Sequence, residues 1–289
     1  MSSRTKKYWL ENRLSSCINI FECNAVALHL SVGCSGWSYK SWQGHFYPKG
    51  LESKNYLEYY GKVFDYVEIE STFYRMPNTS TTTHWLEITP DNFRFSAKFP
   101  QRITHIKRLA GVESDMEYFH KVMSPLIDKL GCLLIQLPPS MTMKEGMKKI
   151  KELPFDKRFR YAIEVRHKSW FDDEVYSFFK KNGICLAWSQ LEDFRTPTVL
   201  TTDFLYLRLM GDRSIPEEKF GTIQKDRTTD MKVWATVINK LSNNKELKNG
   251  FVPTSNHYAG FAAATANSFR KLVGIEPAVW EETRQSTLD

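Results

Sequence analysis

Two hydrophobic periods alternate along most of this chain, one of two residues and one close to 3.6. Each switch marks a boundary between a strand and a helix. The two-residue pattern predicts strands over His29–Cys34, Tyr66–Glu70, Arg94–Lys98 and Cys132–Gln136, then over Arg160–Val165, Cys185–Trp188, Phe204–Arg208 and Gly250–Thr254. The helical pattern falls between them. Asn55–Phe64 carries Tyr56, Tyr59, Tyr60, Val63 and Phe64 on one stripe, and Thr79–Thr89 stops before Pro90. Ser114 is placed to cap a helix with Met116, Phe119, Met123, Leu126, Ile127 and Leu130 on one face, and Pro125 predicts a kink or break in it. Residues 144–152 predict a short basic helix, and Asp172–Lys181 one ended by Asn182 and Gly183. Thr229–Leu241 is expected to bury Val233, Trp234, Val237, Ile238 and Leu241, and an alanine-rich helix over His257–Val273 closes the series before Gly274.

Eight strands separated mostly by helices predict an α/β fold, a single (β/α)8 TIM-like barrel, over residues 29–275. That span matches the usual size of about 250 residues. Residues 189–203 show no helical period, and Pro253 interrupts the last strand, so irregularity is expected around strands six to eight. Residues 1–28 lack the order of a signal peptide and read as an N-terminal extension outside the core, with 276–289 as a C-terminal tail.

Strand alternation also sorts the polar residues. Tyr161, Ile163 and Val165 share one face of the fifth strand, leaving Glu164 and Arg166 on the other, with His167 just beyond. Glu68 and Glu70 oppose Val67 and Ile69 in the same way, Ser96 pairs with Lys98, Gln136 ends the fourth strand, and Tyr206 and Arg208 share a face of the seventh. In a barrel the apolar set suits the helices, so the polar set faces inward and converges at the C-terminal mouth, where barrel enzymes place their sites. The following loops add Trp37, Tyr39, Trp42, Tyr74, Arg102, His105, Asn256 and His257. Lys98, Arg102, Arg166 and Arg208 suit an anion clamp, and Glu68, Glu164 or His105 suits a general acid or base. The Glu164–Arg166 pair equally suits a structural ion pair capping the barrel. His167 and His257 equally suit structural hydrogen bonds, and the aromatics suit core or rim packing.

Composition changes this picture little. Over 289 residues, 42% are hydrophobic and 25% charged, as in a globular protein with a substantial core. No run approaches the roughly 18 apolar residues of a membrane span. The net charge of +7 is a modest lean toward anionic partners. Five scattered cysteines show no ligand-like spacing, which points to a reducing cytoplasm. Phosphate-loop, dinucleotide, zinc-protease and serine-hydrolase motifs are absent. A divalent metal would have to be assembled from Glu68, Glu164, His105, His167 and His257, and no local motif supports one.

The stretches Gly33-Cys-Ser-Gly-Trp-Ser-Tyr39, Phe46-Tyr-Pro48, Val67-Glu-Ile-Glu-Ser-Thr-Phe-Tyr74, Ile103-Thr-His105, Gln136-Leu-Pro-Pro139, Glu164-Val-Arg-His167 and Tyr206-Leu-Arg208 run in the order of one known family. Together they resemble the DUF72, or YecE-like, proteins across about residues 30–270. The resemblance implies a TIM barrel and carries no established activity. It also brings in nucleic acid as a candidate ligand, through the family's likeness to barrel endonucleases acting on apurinic DNA. Trp37, Glu68, Tyr74, His105, Gln136, Glu164, Arg166, His167 and Arg208 fall where the family has the same residue types. Glu70 stands where Asn is usual, Ser189 and Gln190 where an Asp is expected, Met210 where His is usual, and Ser255-Asn-His257 replaces Asn-Asn-His.

Three functions fit these residues. The first is a hydrolase-type enzyme acting on a phosphorylated small molecule or nucleic acid, with Lys98, Arg166 and Arg208 on the anion. The second is a glycosidase pairing Glu68 or Glu70 with Glu164, with Trp37, Trp42 and Trp170 as sugar platforms. The third is a non-catalytic module that binds nucleic acid or protein.

Overall fold

The computed structural model describes residues 28–280. The extension expected over 1–28 thus lies, apart from Leu28, outside the described residues, as do Cys17 and Cys23. Nine strands form one sheet: β1 (His29–Ser35), β2 (Tyr66–Ile69), β3 (Arg94–Lys98), β4 (Leu130–Gln136), β5 (Tyr161–Glu164), β6 (Ile184–Leu186), β7 (Trp188–Gln190), β8 (Phe204–Leu209) and β9 (Asn249–Thr254). Neighbouring strands run parallel in the order β6-β5-β4-β3-β2-β1-β9-β8-β7.

The two ends of that order are neighbours in the chain, separated by Ala187, whose N–H donates to the Ile163 carbonyl at 2.9 Å. The expected sixth strand is therefore one strand broken in two. Its first half pairs with β5 and its second with β8, and the sheet curls into a nearly closed eight-position barrel. No helix follows this strand; residues 191–203 run back beside it. Thr201 Oγ1 accepts from Leu186 N at 2.8 Å and donates to Ile184 O at 2.7 Å, and Thr196 Oγ1 accepts from Ser189 N at 2.8 Å. These hydroxyls satisfy backbone groups that the interrupted ladder leaves without a partner.

Among the described residues seven helices of eight or more residues cover the barrel: α1 (Tyr56–Val63), α2 (Thr79–Glu87), α3 (Glu113–Met123), α4 (Met143–Glu152), α5 (Asp173–Asn182), α6 (Thr228–Leu241) and α7 (Ala262–Leu272). Asn78, Thr142 and Asp172 cap α2, α4 and α5 with side-chain oxygens, and Gly183 ends α5 in the left-handed region. Three expectations need correction. Ser114 is not the cap of α3, which begins at Glu113 after Val112; the break expected at Pro125 is present, the helix ending at Met123 and a 3-10 turn, Ser124–Lys129, following. Val233 is exposed on α6, where Met231, Trp234, Ala235 and Ile238 form the buried stripe. The closing helix is split: a short turn over Asn256–Ala259 stops at Gly260, and α7 starts at Ala262.

Val67, Ile69, Phe95, Ile135, Ile163, Val165 and Leu207 pack outward into the helix layer. Inside the barrel, Tyr66, Cys132, Leu134, Ala162, Phe204, Tyr206 and Phe251 fill the lower half. Cys34, Cys132 and Cys185 are buried free thiols, and burial pushes Cys34 and Cys185 up to about 12. Gly33 lets β1 and β2 meet, because a Cβ there would lie 2.0 Å from the Tyr66 carbonyl. Part of the expected C-terminal tail also packs on the barrel. Ala278 exchanges two hydrogen bonds with the Asn267 side chain, and Trp280 sits against Phe46 and Phe261 and donates to the His45 carbonyl at 2.8 Å. Among the described residues no helix is long and apolar enough to cross a membrane.

Candidate functional site at the barrel mouth

The polar faces of the strands converge as alternation requires. Ser35, Lys98, Gln136 and Glu164 each end a strand; Glu70, Arg166 and Asn256 follow one, and Arg208 lies one residue inside β8. Arg208, 1% exposed, is the centre. Its Nε donates to Glu68 Oε2 at 2.9 Å, and Nη2 donates to Glu68 Oε1 at 2.6 Å and Glu70 Oε2 at 3.1 Å, while Nη1 donates to Glu164 Oε2. Glu68 also accepts from Tyr206 Oη and Ser35 Oγ, both at 2.6 Å. Beneath it the Tyr206, Ser96 and Tyr66 hydroxyls continue one hydrogen-bonded chain into the barrel.

Two further cations complete the layer. Arg166 Nε donates to Glu164 Oε1 at 2.8 Å, and Lys98 Nζ donates to Glu70 Oε1 at 2.7 Å from a position 3.9 Å above the Phe73 ring. Three carboxylates thus balance three cations, which is what makes their burial tolerable. Burial alone would raise Glu164, but Arg166 and Arg208 overcome it and hold the carboxyl at about 2. Glu70 is likewise lowered, with burial opposed by Lys98 and Arg208. Burial lowers Lys98, and Glu70 offsets only part of that.

Above this layer opens a cavity of about 630 Å³, lined by Ser35, Tyr39, Glu70, Tyr74, Lys98, Gln136, Arg166 and Arg208 on one side. The loop after β8 and the start of the Asn256 turn form the other side. That volume lies within the ~300–1,000 Å³ common for small-molecule sites. His105 is not among the residues lining the cavity; it lies in the π-helical turn Arg102–Ile106, edge-on to Phe73 with ring centroids 5.0 Å apart. Burial and then the charges of Lys98, Arg166 and Arg108 hold it down at about 4, so it is unprotonated at neutral pH.

The other residues singled out from the sequence are placed differently. Trp37 does not line the cavity; it packs edge-on against Trp85 of α2 at 5.4 Å. His167 accepts from Ser169 N at 3.1 Å, capping a short turn beside the mouth rather than facing into it. Arg102 pairs with Asp115 at 3.0 Å, away from the cavity. Trp42 and Trp170 are fully buried, their indole N–H groups donating to Asn256 Oδ1 and the Met141 carbonyl. Among the described residues no three His, Cys, Asp or Glu side chains are grouped as metal ligands, and Glu68 and Glu164 are already held by arginine. Sequence reasoning missed the wall formed by Met210, Ile215 and Phe220, because nothing local says that the loop after β8 folds back over the mouth.

A family model described as a protein of unknown function, DUF72, matches residues 31–287. The chain belongs to the DUF72 family. The match runs through the segment that carries Trp280. The UPF0759 protein YecE of Escherichia coli K12 is 33% identical over 143 residues, 48% of this chain and 49% of YecE. The chain thus spans about half the length of that curated relative. The UPF0759 protein YunF of Bacillus subtilis is 24% identical over 277 residues, covering 85% of this chain and 95% of YunF. Among solved structures, a DUF72 family protein from Thermotoga maritima superposes with a TM-score of 0.70 at 29% identity, covering 85% of this chain and 99% of its own. Another from Enterococcus faecalis gives 0.67 at 20% identity, covering 87% and 100%, a likeness of fold alone. The DUF72 barrel expected from the motifs is therefore the observed one.

Proposed function

We propose that this DUF72 chain binds a phosphate-bearing ligand at the C-terminal mouth and acts on it as a hydrolase-type enzyme. The observation that carries the reading is the state of Arg166. Its Nε is pinned on Glu164, its side chain is 21% exposed, its other two nitrogens have no hydrogen-bond partner among the described residues, and it lines the cavity together with Lys98. A guanidinium held from behind with its fork open is preorganised for a phosphate. Arg208 is not assigned to the anion, since three carboxylates occupy it; its role is to hold Glu68, Glu70 and Glu164 in place. We assign the proton from an attacking water to Glu70, at 24% side-chain exposure the least buried carboxylate of the layer and one that lines the cavity, or to His105, unprotonated and within the field of Lys98 and Arg166. An anion between Lys98 and Arg166 cancels part of the positive field on His105 and strengthens it as a base once the ligand is bound.

A binding module without turnover is the second reading. It is favoured by Glu68 and Glu164, whose exposure is 0% and whose oxygens are all engaged. The glycosidase reading has little to rest on, because the carboxylates are locked to cations and the tryptophans offered as platforms are packed in the core.

The test is calorimetric titration with inorganic phosphate, followed by release of phosphate from a panel of mono- and diesters. Arg166→Ala is expected to weaken phosphate binding by about ten-fold or more, roughly 1.4 kcal/mol, while the protein stays folded. Unchanged phosphate affinity overturns the anion reading. Binding with no turnover of any ester leaves the binding module.

A further inference from the structure

The cavity has two unlike ends, and that asymmetry describes its ligand. One end is the charged floor with Lys98 and Arg166. The other is a mostly apolar wall built by Tyr39, Met210, Ile215 and Phe220. Phe220 lies edge-on to Tyr39 at 6.0 Å and to His257 at 5.0 Å, and Tyr39 rests on Trp42 at 4.9 Å. Tyr39 joins the two ends, since its hydroxyl donates to the carbonyl of Ser35, whose own hydroxyl holds Glu68. An inorganic anion would use the first end and leave the second empty.

Ser255, Asn256 and His257 bring polar groups to the second end, and Asn256 is the one whose orientation its partners fix. Asn256, fully buried, accepts at Oδ1 from the Trp42 indole at 3.1 Å and from Ala262 N at 2.9 Å. Two donors on one oxygen fix which way the amide faces, leaving Nδ2 as the donor. Nδ2 is buried and has no acceptor among the described residues. A buried donor without a partner is unfavourable, and it fits an acceptor that arrives with the ligand. At the outer rim Asp212 and Glu217 accompany Arg213, which makes this end a poor place for a second phosphate.

We propose that the ligand is a phosphomonoester carrying a flat ring with a hydrogen-bond acceptor. Its phosphate sits at Lys98 and Arg166, its ring lies against the Tyr39–Phe220 wall, and its acceptor meets Asn256 Nδ2. A nucleoside 5′-monophosphate is the simplest compound of that class. This inference rests on the anion reading above and adds the substrate class.

Calorimetric titration of the full chain with inorganic phosphate, adenosine 5′-monophosphate and glucose 6-phosphate tests it, repeated on Asn256→Asp. That variant keeps the oxygen that accepts from Trp42 and Ala262 and removes the donor. The nucleotide is expected to bind at least about ten-fold tighter than phosphate, glucose 6-phosphate no tighter than phosphate, and Asn256→Asp to lose the gain while keeping phosphate affinity. If Asn256→Asp does not fold, Phe220→Leu is read in the same way. A nucleotide bound no tighter than phosphate, or glucose 6-phosphate bound as tightly as the nucleotide, overturns the ring site and leaves the anion site standing. Loss of phosphate and nucleotide together in Asn256→Asp also overturns it. Failure of all three probes to bind overturns both readings.

Discussion

Arg208 donates from a fully buried position to three glutamates, and none of them has another cation that could replace all of its bonds. Removing one partner of a buried ion pair leaves the other charges uncompensated, at a cost of about 3–5 kcal/mol. Arg208→Leu is therefore expected to lower unfolding stability in urea by about that amount; a loss under about 1 kcal/mol would show the network to be dispensable. The acid response follows from two groups. Glu164 sits at about 2 against an ordinary 4.5, so the folded chain binds fewer protons there, and its stabilisation is complete above 4.5 and lost as pH falls toward 2. His105, at about 4 against 6.5, adds a loss that starts earlier, between pH 6.5 and 4. Stability against pH in His105→Gln should lose the upper part of this slope and keep the lower. An NMR titration should show His105 rising when phosphate binds.

At the scale of elements, several features depend on contacts made far along the chain. In α4, Gly146 sits where alanine would ordinarily favour the helix by about 1 kcal/mol. A Cβ there would meet the Trp170 ring at 2.5 Å, and Trp170 is held by its bond to the Met141 carbonyl. Overpacking of that kind costs about 1–3 kcal/mol, so Gly146→Ala is expected to destabilise on balance, read by chemical denaturation. The closing helix breaks for a related reason. Gly260 has φ +104°, and a Cβ would lie 2.4 Å from the Thr222 carbonyl, where the loop after β8 docks. That contact spans a long stretch of chain, so the alanine-rich period reads as one unbroken helix.

At the scale of the whole molecule, residues 276–280 belong to the packed structure. Trp280, 5% exposed, fills space beside Phe46, Phe64 and Phe261. Trp280→Ala is expected to lower stability by about 3–5 kcal/mol in urea denaturation; a near-neutral result would show that this segment only rests on the barrel.

The barrel, its eight strand positions and the inward set Glu68, Lys98, Gln136, Glu164 and Arg208 were legible in the sequence; the break that divides the sixth strand in two was not. Strand alternation is a local property, and an apolar face can only turn toward the helices. The motifs likewise placed the chain in its family. Which charges remain open to a ligand was decided only in three dimensions. Arg166 and Arg208 look alike in the sequence, yet Arg208 is enclosed by three carboxylates while Arg166 keeps an open side. Asn256 and the Phe220 wall meet across the mouth only because the loop after β8 folds back on Gly260. Pairing depends on distances between strands far apart in the chain, and no period along the sequence encodes those distances.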